Sequence, residues 1–311
     1  MCKISVVIPV YNSKNFIRQC MDSIIYQTFS EFEIICVDDG STDESYTILS
    51  RYSQQYKNIQ VVRQKNKGQG PARNKGVTLA RGKYVKFVDA DDYLHPDALR
   101  ILYETAERTK ADIIVSKAFC VNEAGDITSP LKMWNNLIGN YTRESFINLD
   151  FFNNKCSPVL WDKLIKTKIA KTYLSPSLKR GQDFVTLIKY ISACNNIYFI
   201  EDRLYYYRHH NLSIMATTES RETIMLDFTT EQMAIKVMQD CFQNTKAYSF
   251  YCKRILQEWA NRIEANKELL MSRDTALIKN LMTNIHNNLF TIKENINLTA
   301  SARNQKKTLI F

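Results

Sequence analysis

Three acidic residues within four positions form the strongest chemical signal in the sequence. Asp89, Asp91 and Asp92 follow an apolar run that ends at Val88. Side chains on an extended chain repeat every two residues, so Asp89 and Asp91 are predicted to point the same way. Two carboxylates on one side suit a hard divalent cation whose remaining ligands are diphosphate oxygens and water. The alternative is that these acids only cap a helix before Pro96.

Two further polar segments follow apolar runs. Pro9–Asn12 comes after the first run and Asp38–Asp43 after the second. An exposed Tyr11 is able to stack on a nucleobase. The carboxylate of Asp39 is able to accept a hydrogen bond from a pyrimidine N–H. The alternative for both segments is a simple turn, with Pro, Asn and Gly in their usual turn roles.

A glycine-rich segment lies between the third and fourth apolar runs. It reads NKGQGPARNKG from Asn66 to Gly76, and its glycines would let the backbone approach a phosphate at a helix start. Because position 73 is Arg, this is not the Gly-x-Gly-x-x-Gly motif of dinucleotide-binding dehydrogenases. It also lacks the Gly-Lys-Ser/Thr of a P-loop. The pattern therefore disfavours both of those nucleotide-binding classes.

Strand and helix patterns alternate along the first third of the chain and must position these residues. One helical face is predicted from Phe16, Ile17, Cys20, Met21, Ile24 and Ile25. Five apolar runs predict strands buried on both faces, at Ile4–Ile8, Glu33–Val37, Ile59–Val62, Tyr84–Val88 and Asp112–Val115. The alternation predicts an α/β fold with a mostly parallel sheet flanked by helices. Ligands of such sheets bind outside the carboxyl ends of the strands, where the acidic and aromatic residues lie.

Local signals also predict where helices begin and where the architecture changes. Ser41 and Glu44 match a Ser-x-x-Glu capping box, and Pro96 suits the first residue of a helix. From about residue 118 strands and loops mix, and residues 219–288 follow a helical pattern. We therefore expect a small helical subdomain at the C-terminal end.

The composition disfavours membrane-spanning, secreted, zinc-binding and nucleic-acid-binding proteins. No apolar run approaches the roughly 20 residues that span a bilayer, and Ile4–Ile8 is too short for a signal-peptide core. The eight cysteines include no zinc-type pair, so we expect reduced, mostly buried thiols and a cytoplasmic protein. Nucleic acid is not an expected partner, because no recognition helix or aromatic–basic signature accompanies the positive charge.

The formal charge of +10 is unevenly spread. Between Lys155 and Tyr190 there are eight Lys or Arg residues against two Asp. Such a cluster is either a solvated face or a surface that attracts a diphosphate, an anionic lipid or an acidic glycan.

In their order and spacing, the motifs resemble glycosyltransferase family 2, inverting enzymes whose catalytic domain has the GT-A fold. The resemblance spans roughly Ile4 to Ser213 and is carried by Val7–Asn12, Val37–Asp43, Gly70–Gly76 and Val88–Asp92. It implies a GT-A catalytic domain at 1–218, with a nucleotide-binding half at 1–117 and an acceptor half at 118–218. Residues 219–311 would then be a helical C-terminal subdomain with a basic tail.

The resemblance also implies which residues bind the donor. Pro9, Tyr11 and Asp39 would hold the nucleobase, with Arg73 nearby, and Asn12 belongs to the same donor-binding set. Asp89 would lie at the ribose and the metal, and Asp91 would be the main ligand of Mn²⁺ or Mg²⁺.

A later segment, Tyr205–Ser213, resembles a family segment that folds over the donor diphosphate. There Arg208 would bind the donor and His210 the metal. A purely structural histidine is the alternative.

The acceptor side is implied by two weaker matches. Lys179–Phe184 resembles the family's Gly-Glu-Asp-x-x-Phe region, whose Asp is the general base, so Asp183 takes that role. Gln182 replaces the usual Glu and removes a negative charge beside Asp183. The alternative is that Asp183 is simply an acid at a helix N-terminus.

The second match, Trp161–Leu164, resembles the stretch that lines the acceptor pocket, with Asp where the family more often has Asn. Trp161 and Lys163 are therefore expected on the acceptor side. A buried core tryptophan is the alternative reading of Trp161.

The expected activity is metal-assisted direct displacement of a sugar from a nucleotide-sugar, in particular a UDP-sugar. The acceptor would be a hydroxyl group of a glycan or lipid-linked glycan. The protein would also touch anionic membrane peripherally, through its basic cluster and the Arg303–Phe311 tail.

Two alternative functions are weighed against this one. A sugar-nucleotide pyrophosphorylase is one alternative, but Pro9–Asn12 is not its Gly-rich activating loop. A catalytically inactive nucleotide-sugar-binding protein is the other, and the intact Asp89, Asp91 and Asp183 oppose it.

Overall fold

Each of the five predicted strands is present in the structure, a computed structural model that describes residues 2–131, 137–149, 157–210, 219–243 and 245–289. In chain order the strands are β1 (Ile4–Val10), β2 (Phe32–Asp38), β3 (Ile59–Arg63), β4 (Tyr84–Phe87), β5 (Tyr93–Leu94), β6 (Ile113–Val121), β7 (Ile127–Pro130), β8 (Gly139–Thr142), β9 (Lys163–Lys166) and β10 (Asn196–Arg208). The helices are α1 (Ile17–Ile25), α2 (Ser45–Gln55), α3 (Gln69–Leu79), α4 (Ala98–Thr109), α5 (Arg143–Leu149), α6 (Thr167–Thr172), α7 (Gln182–Ala193), α8 (Arg221–Phe242), α9 (Lys246–Ala265) and α10 (272–289).

The strands form one twisted sheet in the order β3-β2-β1-β4-β9-β6-β10-β5. The first four of these are parallel neighbours, as predicted, and β6 and β10 are also parallel. The four-residue strand β9 runs antiparallel between β4 and β6. This insertion places the chain just before β9 beside the end of β4, where the acidic residues lie.

Apolar faces of helices cover the sheet. Helix α1 buries Ile17, Cys20, Met21 and Ile24, which confirms the predicted helical face. Helix α3 lies so close to β1 that a Cβ atom on Gly76 would come within 2.3 Å of the Val7 side chain. The side chains one turn earlier on α3 are thereby held at the carboxyl edge of the sheet.

Three local predictions were wrong. Helix α2 begins at Ser45, and the Ser41 hydroxyl accepts a hydrogen bond from Asn12 N instead of capping that helix. Helix α4 begins at Ala98 with Asp97 as its N-cap, so Pro96 precedes the helix. Strand β4 ends at Phe87, and the acidic residues that follow form a turn rather than an extended strand.

The described residues fall into two compact units that divide between Thr217 and Thr218. The second unit consists of α8, α9 and α10, as the helical pattern predicted. Its α8 and α9 pack through Phe228 and Trp259, whose rings meet edge to face at 5.4 Å. No helix among the described residues is both long and apolar enough to cross a bilayer. The predicted tail, Arg303–Phe311, lies outside the described residues.

Strand β4 buries a charged side chain, Lys86, of which 1% is exposed. Burial lowers the pKa of Lys86 from 10.5 to about 7, against the attraction of Asp162. Since the pKa in the folded state is below that in the unfolded state, the unfolded chain binds more protons between pH 7 and 10.5. The free energy of unfolding should therefore rise with pH across this window.

We expect this rise to be about 2 kcal/mol between pH 7 and pH 9, since each pKa unit corresponds to about 1.36 kcal/mol. Urea unfolding of the wild type and of Lys86→Met at both pH values measures it. The Met variant should lose this part of the pH dependence, because it has no proton to release. An equal rise in both proteins would show that other groups cause it.

Candidate active site

The turns after β1 and β2 are hydrogen-bonded to each other. Asn12 adopts a left-handed conformation with φ of 49°. Its side-chain oxygen accepts from Thr42 N at 2.8 Å and from the Thr42 hydroxyl at 3.2 Å. Its own N–H donates to the Ser41 hydroxyl at 3.0 Å. Asn12 therefore fixes the positions of the two turns relative to each other.

Tyr11 is the exposed aromatic residue on these turns, with half of its surface open to solvent. Pro9, two residues earlier, is buried within β1 and pairs with Val37 of β2. Of the two, Tyr11 is thus the residue available to stack on a ligand.

Asp39 is buried and holds the start of the glycine-rich segment. Its carboxylate accepts from Gln64 Nε2 at 2.7 Å, from Lys67 N at 3.0 Å and from Gly68 N at 2.7 Å. Gly68 then caps α3 with φ of 92°. Asp39 therefore fixes where α3 begins, a role without a local sequence signal because the partners lie 25 to 29 residues away.

The acidic turn, residues 89–92, is anchored by Asp92, a residue whose role the sequence alone does not indicate. Its buried carboxylate accepts from the Tyr205 hydroxyl at 2.7 Å and from Arg208 N at 2.8 Å. Asp89 N in turn donates to the Tyr205 oxygen at 3.1 Å. Burial, with the nearby charges of Asp91 and Asp89, raises the pKa of Asp92 well above its ordinary value. Strand β10 thereby determines the position of the acidic turn.

Arg73 joins the two carboxylates expected on opposite sides of the reaction. Its buried guanidinium lies 2.7 Å from Asp89 Oδ1 through one nitrogen and contacts Asp183 Oδ1 through another. Asp89 also accepts from Gln69 Nε2 at 3.1 Å. Burial raises the pKa of Asp89 to about 6, while Arg73 opposes this shift. The structure thus places Arg73 between Asp89 and Asp183.

Asp91 and His210, which the resemblance assigns to the metal, contact each other. His210 Nε2 lies 2.9 Å from Asp91 Oδ2, and one third of the Asp91 side chain is exposed. The His210 ring packs on Phe16 at 4.8 Å. Two ligands about 2.1 Å from one metal ion and at right angles lie about 3 Å apart. The observed oxygen–nitrogen separation is therefore compatible with both atoms binding one cation.

The donor set also fits the expected metals. Carboxylate oxygens suit Mg²⁺ and Mn²⁺, and imidazole nitrogen is common with transition metals. No group of three or more His, Cys, Asp or Glu side chains that would form a complete metal cage occurs among the described residues. A cation here would depend on oxygens from a ligand or from water.

Arg208 has a different environment from the one predicted for a diphosphate ligand. Its guanidinium is buried and donates to Asp91 O at 2.7 Å. It also donates to Glu123 O, Asn122 O and Gln19 Oε1. In this arrangement Arg208 supports the backbone of the acidic turn, because its donors are directed to protein oxygens.

Asp183 lies in the first turn of α7, but its side chain does not cap that helix. Asp183 Oδ2 accepts from Leu160 N at 3.3 Å, and Oδ1 contacts Arg73. About 17% of the side chain remains exposed. The neighbouring Gln182 donates through Nε2 to Gln69 Oε1 at 2.8 Å. The carboxylate is therefore oriented by two donors while still open to solvent, which suits a proton acceptor.

Trp161 and Lys163 are buried and do not line an acceptor pocket. The Trp161 ring stacks on Tyr205 at 4.3 Å and on Tyr207 at 5.4 Å. Lys163 has 1% of its surface exposed. The acceptor-side prediction for these two residues is therefore not supported by their positions, since neither side chain faces solvent.

Comparison with known proteins identifies the family. Residues 5–160, half of the chain, match the model of Glycosyl transferase family 2. Glycosyltransferase GlyG of Streptococcus pneumoniae is 30% identical over 220 residues, covering 69% of this chain and 73% of that protein. Glycosyltransferase GlyA of the same organism is 31% identical over 75% of this chain, which spans only about a third (34%) of GlyA.

Solved structures show the same fold. Staphylococcus aureus TarS, a poly(ribitol-phosphate) beta-N-acetylglucosaminyltransferase, resembles this chain in its 1–349 fragment with a TM-score of 0.67 and 21% identity. The alignment covers 96% of this chain and 92% of the fragment. The same fragment has also been solved in complex with UDP-GlcNAc, with a TM-score of 0.63. The α/β fold with a central sheet flanked by helices is thus confirmed, and the chain belongs to glycosyltransferase family 2.

Proposed function

We propose that the protein is an inverting glycosyltransferase that moves a sugar from a UDP-sugar to a hydroxyl group of a bacterial surface glycan or its lipid-linked precursor. The observation that carries the proposal is the Asp89–Arg73–Asp183 bridge, in which one buried guanidinium joins a donor-side and an acceptor-side carboxylate. A site of this kind holds a sugar donor and a proton acceptor in fixed relation, and fixed orientation contributes strongly to rate.

In the proposed reaction, the carboxylate of Asp183 takes the proton of the acceptor hydroxyl. The acceptor oxygen then forms a bond to the anomeric carbon, and the bond from that carbon to the diphosphate breaks with its electron pair leaving on UDP. Attack opposite the leaving group inverts the anomeric centre, so an α-linked donor gives a β-linked product. Arg73 and Leu160 N–H orient the carboxylate for this step.

Divalent metal is the proposed cofactor, either Mn²⁺ or Mg²⁺. Asp91 and His210 would bind the cation. Asp89, two residues before Asp91 in the acidic turn, would lie close to it. When bound, the cation would supply Lewis-acid stabilisation of the departing diphosphate. Arg208 contributes indirectly by supporting the backbone of Asp91.

The donor proposal is supported by the TarS fragment, which was solved with UDP and with UDP-GlcNAc. In this chain, the half-exposed ring of Tyr11 would stack on the base. The Asp39 carboxylate already accepts from Gln64 Nε2, from Gly68 N and, through both oxygens, from Lys67 N. A uracil N–H bound to Asp39 would therefore share an oxygen with one of these donors.

UDP is expected to bind more tightly than GDP in isothermal titration calorimetry with Mn²⁺ present. Tyr11→Ala should weaken UDP binding about 10-fold, because base–aromatic stacking contributes about 1–3 kcal/mol. Tyr26→Ala is the matched control, since Tyr26 is also an exposed tyrosine but lies at the end of α1. Equal affinity for UDP and GDP would show that the base is not recognised as proposed.

The proposal as a whole is tested by incubating the protein with a panel of UDP-, GDP- and CMP-sugars and glycan acceptors. UDP-sugars should yield UDP and a glycosylated acceptor, detected by mass spectrometry. Turnover of GDP- or CMP-sugars alone would overturn the donor assignment. The pyrophosphorylase alternative is set aside, because the chain belongs to a family of glycosyltransferases. Metal-dependent release of UDP from a UDP-sugar would exclude the inactive-binder alternative.

We also propose that the protein contacts anionic lipid peripherally through its basic cluster. Lys168, Lys171 and Lys179 of the basic cluster are exposed, whereas the buried Lys163 is unable to contribute. Lys155 lies outside the described residues. Sedimentation with anionic and neutral vesicles at low salt tests the contact, and equal binding to both would exclude an electrostatic cause.

A further inference from the structure

Lys163 is a buried lysine whose three protons all have partners within the protein. Its Nζ donates to Ser157 O at 3.0 Å, to Val159 O at 2.8 Å and to Asp162 Oδ1 at 2.8 Å. A lysine ammonium group has three N–H donors, and these contacts provide three acceptors for them. The side chain thus folds back on the loop that precedes its own strand, β9.

Three further carbonyl groups of this loop, residues 157–162, also have donors from the protein interior as partners. Lys163 N donates to Leu160 O at 3.2 Å. Lys86 Nζ contacts Trp161 O. Asp162 O accepts from Ser116 N at 3.0 Å. The path of the loop backbone is therefore set by donors from β4, β6 and β9.

One N–H of the 157–162 loop is directed the other way, toward the candidate base. Leu160 N donates to Asp183 Oδ2 at 3.3 Å. Its two flanking residues, Val159 and Trp161, have their carbonyls held by Lys163 and Lys86. The orientation of this N–H consequently depends on the two buried lysine side chains.

The buried charged residues Lys163, Asp162 and Lys86 are not an arrangement expected to increase stability. Asp162 is fully buried between Lys163 and Lys86, and burial raises the pKa of Asp162 against the attraction of Lys163. Buried ion pairs pay a large desolvation penalty, and apolar side chains of similar size often stabilise a protein equally well or better. Geometric control of the loop is the function that the contacts support.

We propose that Lys163, with Lys86 and Asp162, is a positioning residue for catalysis, because it sets the 157–162 loop so that Leu160 N–H orients the Asp183 carboxylate. The proposal rests on the proposed role of Asp183 as general base. Lys163 itself touches neither donor nor acceptor.

The test is Lys163→Met, which keeps the length and packing of the side chain but removes its three donors. Transfer should slow by roughly 10- to 100-fold, since misplacement of a catalytic group by about 1 Å has effects of this size. The affinity for UDP should stay within about 3-fold of wild type, because the donor contacts are unchanged. Lys166→Met is the matched control, since Lys166 lies on the same strand and its Nζ pairs with Asp112 Oδ1 at 2.7 Å, away from the loop. This control should transfer sugar at the wild-type rate.

A second measurement separates positioning from general loss of structure. In an Asp183→Asn background, Lys163→Met should slow transfer by less than about 2-fold, because effects through a shared partner are not additive. If Lys163→Met is too unstable to purify, Lys86→Met serves instead, as it removes the donor to Trp161 O. A folded Lys163→Met variant with wild-type transfer would overturn the inference, as would an equal loss in both backgrounds. The proposed base fails separately, if Asp183→Asn alone keeps wild-type transfer.

Discussion

Asp183→Asn is expected to lower the rate of sugar transfer by about 10²–10⁴-fold, the usual contribution of a general base. Asn has nearly the same size, but it does not accept a proton at neutral pH, so the acceptor hydroxyl would attack unassisted. Arg73 keeps its ion pair with Asp89 in this variant, so the buried guanidinium is not left without a counter-charge. Product formation by mass spectrometry measures the effect.

The affinity of Asp183→Asn for UDP should stay within a few-fold of wild type, since the proposed base would act on the acceptor rather than on the nucleotide. Glu201→Gln is the matched control: it makes the same chemical change on β10, where Glu201 is exposed and pairs with Lys117 at 3.8 Å. Loss of UDP binding in Asp183→Asn would mean that Asp183 is a donor-site or structural residue. If Asp183→Asn transfers sugar at the wild-type rate and Glu201→Gln does not, Glu201 would be the general base instead of Asp183.

Asp91→Asn is expected to abolish metal-dependent transfer while the protein stays folded. The carboxylate is one third exposed and faces His210, whereas the carbonyl that accepts from Arg208 belongs to the backbone and is retained. Loss of a charged ligand removes most of the attraction for a divalent cation, and with it several kcal/mol of stabilisation of the leaving diphosphate.

Thermal unfolding with UDP and Mn²⁺ gives an independent readout of this prediction. A ligand at 100 times its dissociation constant stabilises a protein by about 2.7 kcal/mol, so the wild type should show a clear shift that Asp91→Asn lacks. Asp202→Asn, which changes an exposed carboxylate on β10, should behave like the wild type. Full transfer by Asp91→Asn at any metal concentration would remove Asp91 from the metal site.

The buried strands and the buried face of α1 could be predicted from the sequence, because burial leaves a pattern of apolar residues along the chain. The apolar runs located β1, β2, β3, β4 and the start of β6, and the spacing of Ile17, Cys20, Met21 and Ile24 gave the buried face of α1. The strand pattern also predicted that the acidic residues follow the fourth strand, and they follow β4. The family resemblance assigned both His210 and Asp91 to the metal, and the structure brings their side chains into contact.

The partners of the polar side chains were decided by tertiary structure alone. Arg73 and Asp183 are 110 residues apart in the chain, and Tyr205 and Asp92 are 113 apart. No local pattern encodes such pairs, because they arise from which strands become neighbours. The antiparallel insertion of β9 between β4 and β6 turns Trp161 onto Tyr205 and buries Lys163, although both had been expected at the acceptor.

Local signals were wrong where a distant group competed for the same atom. Ser41 matched a helix cap in sequence, yet its hydroxyl accepts from Asn12 N, which lies 29 residues away. Asp39 is likewise occupied by the segment that begins α3. The sequence by itself determined which residues gather at the carboxyl edge of the sheet. The tertiary structure decided which of them face a ligand and which hold the others in place, since each buried donor and acceptor must find a partner.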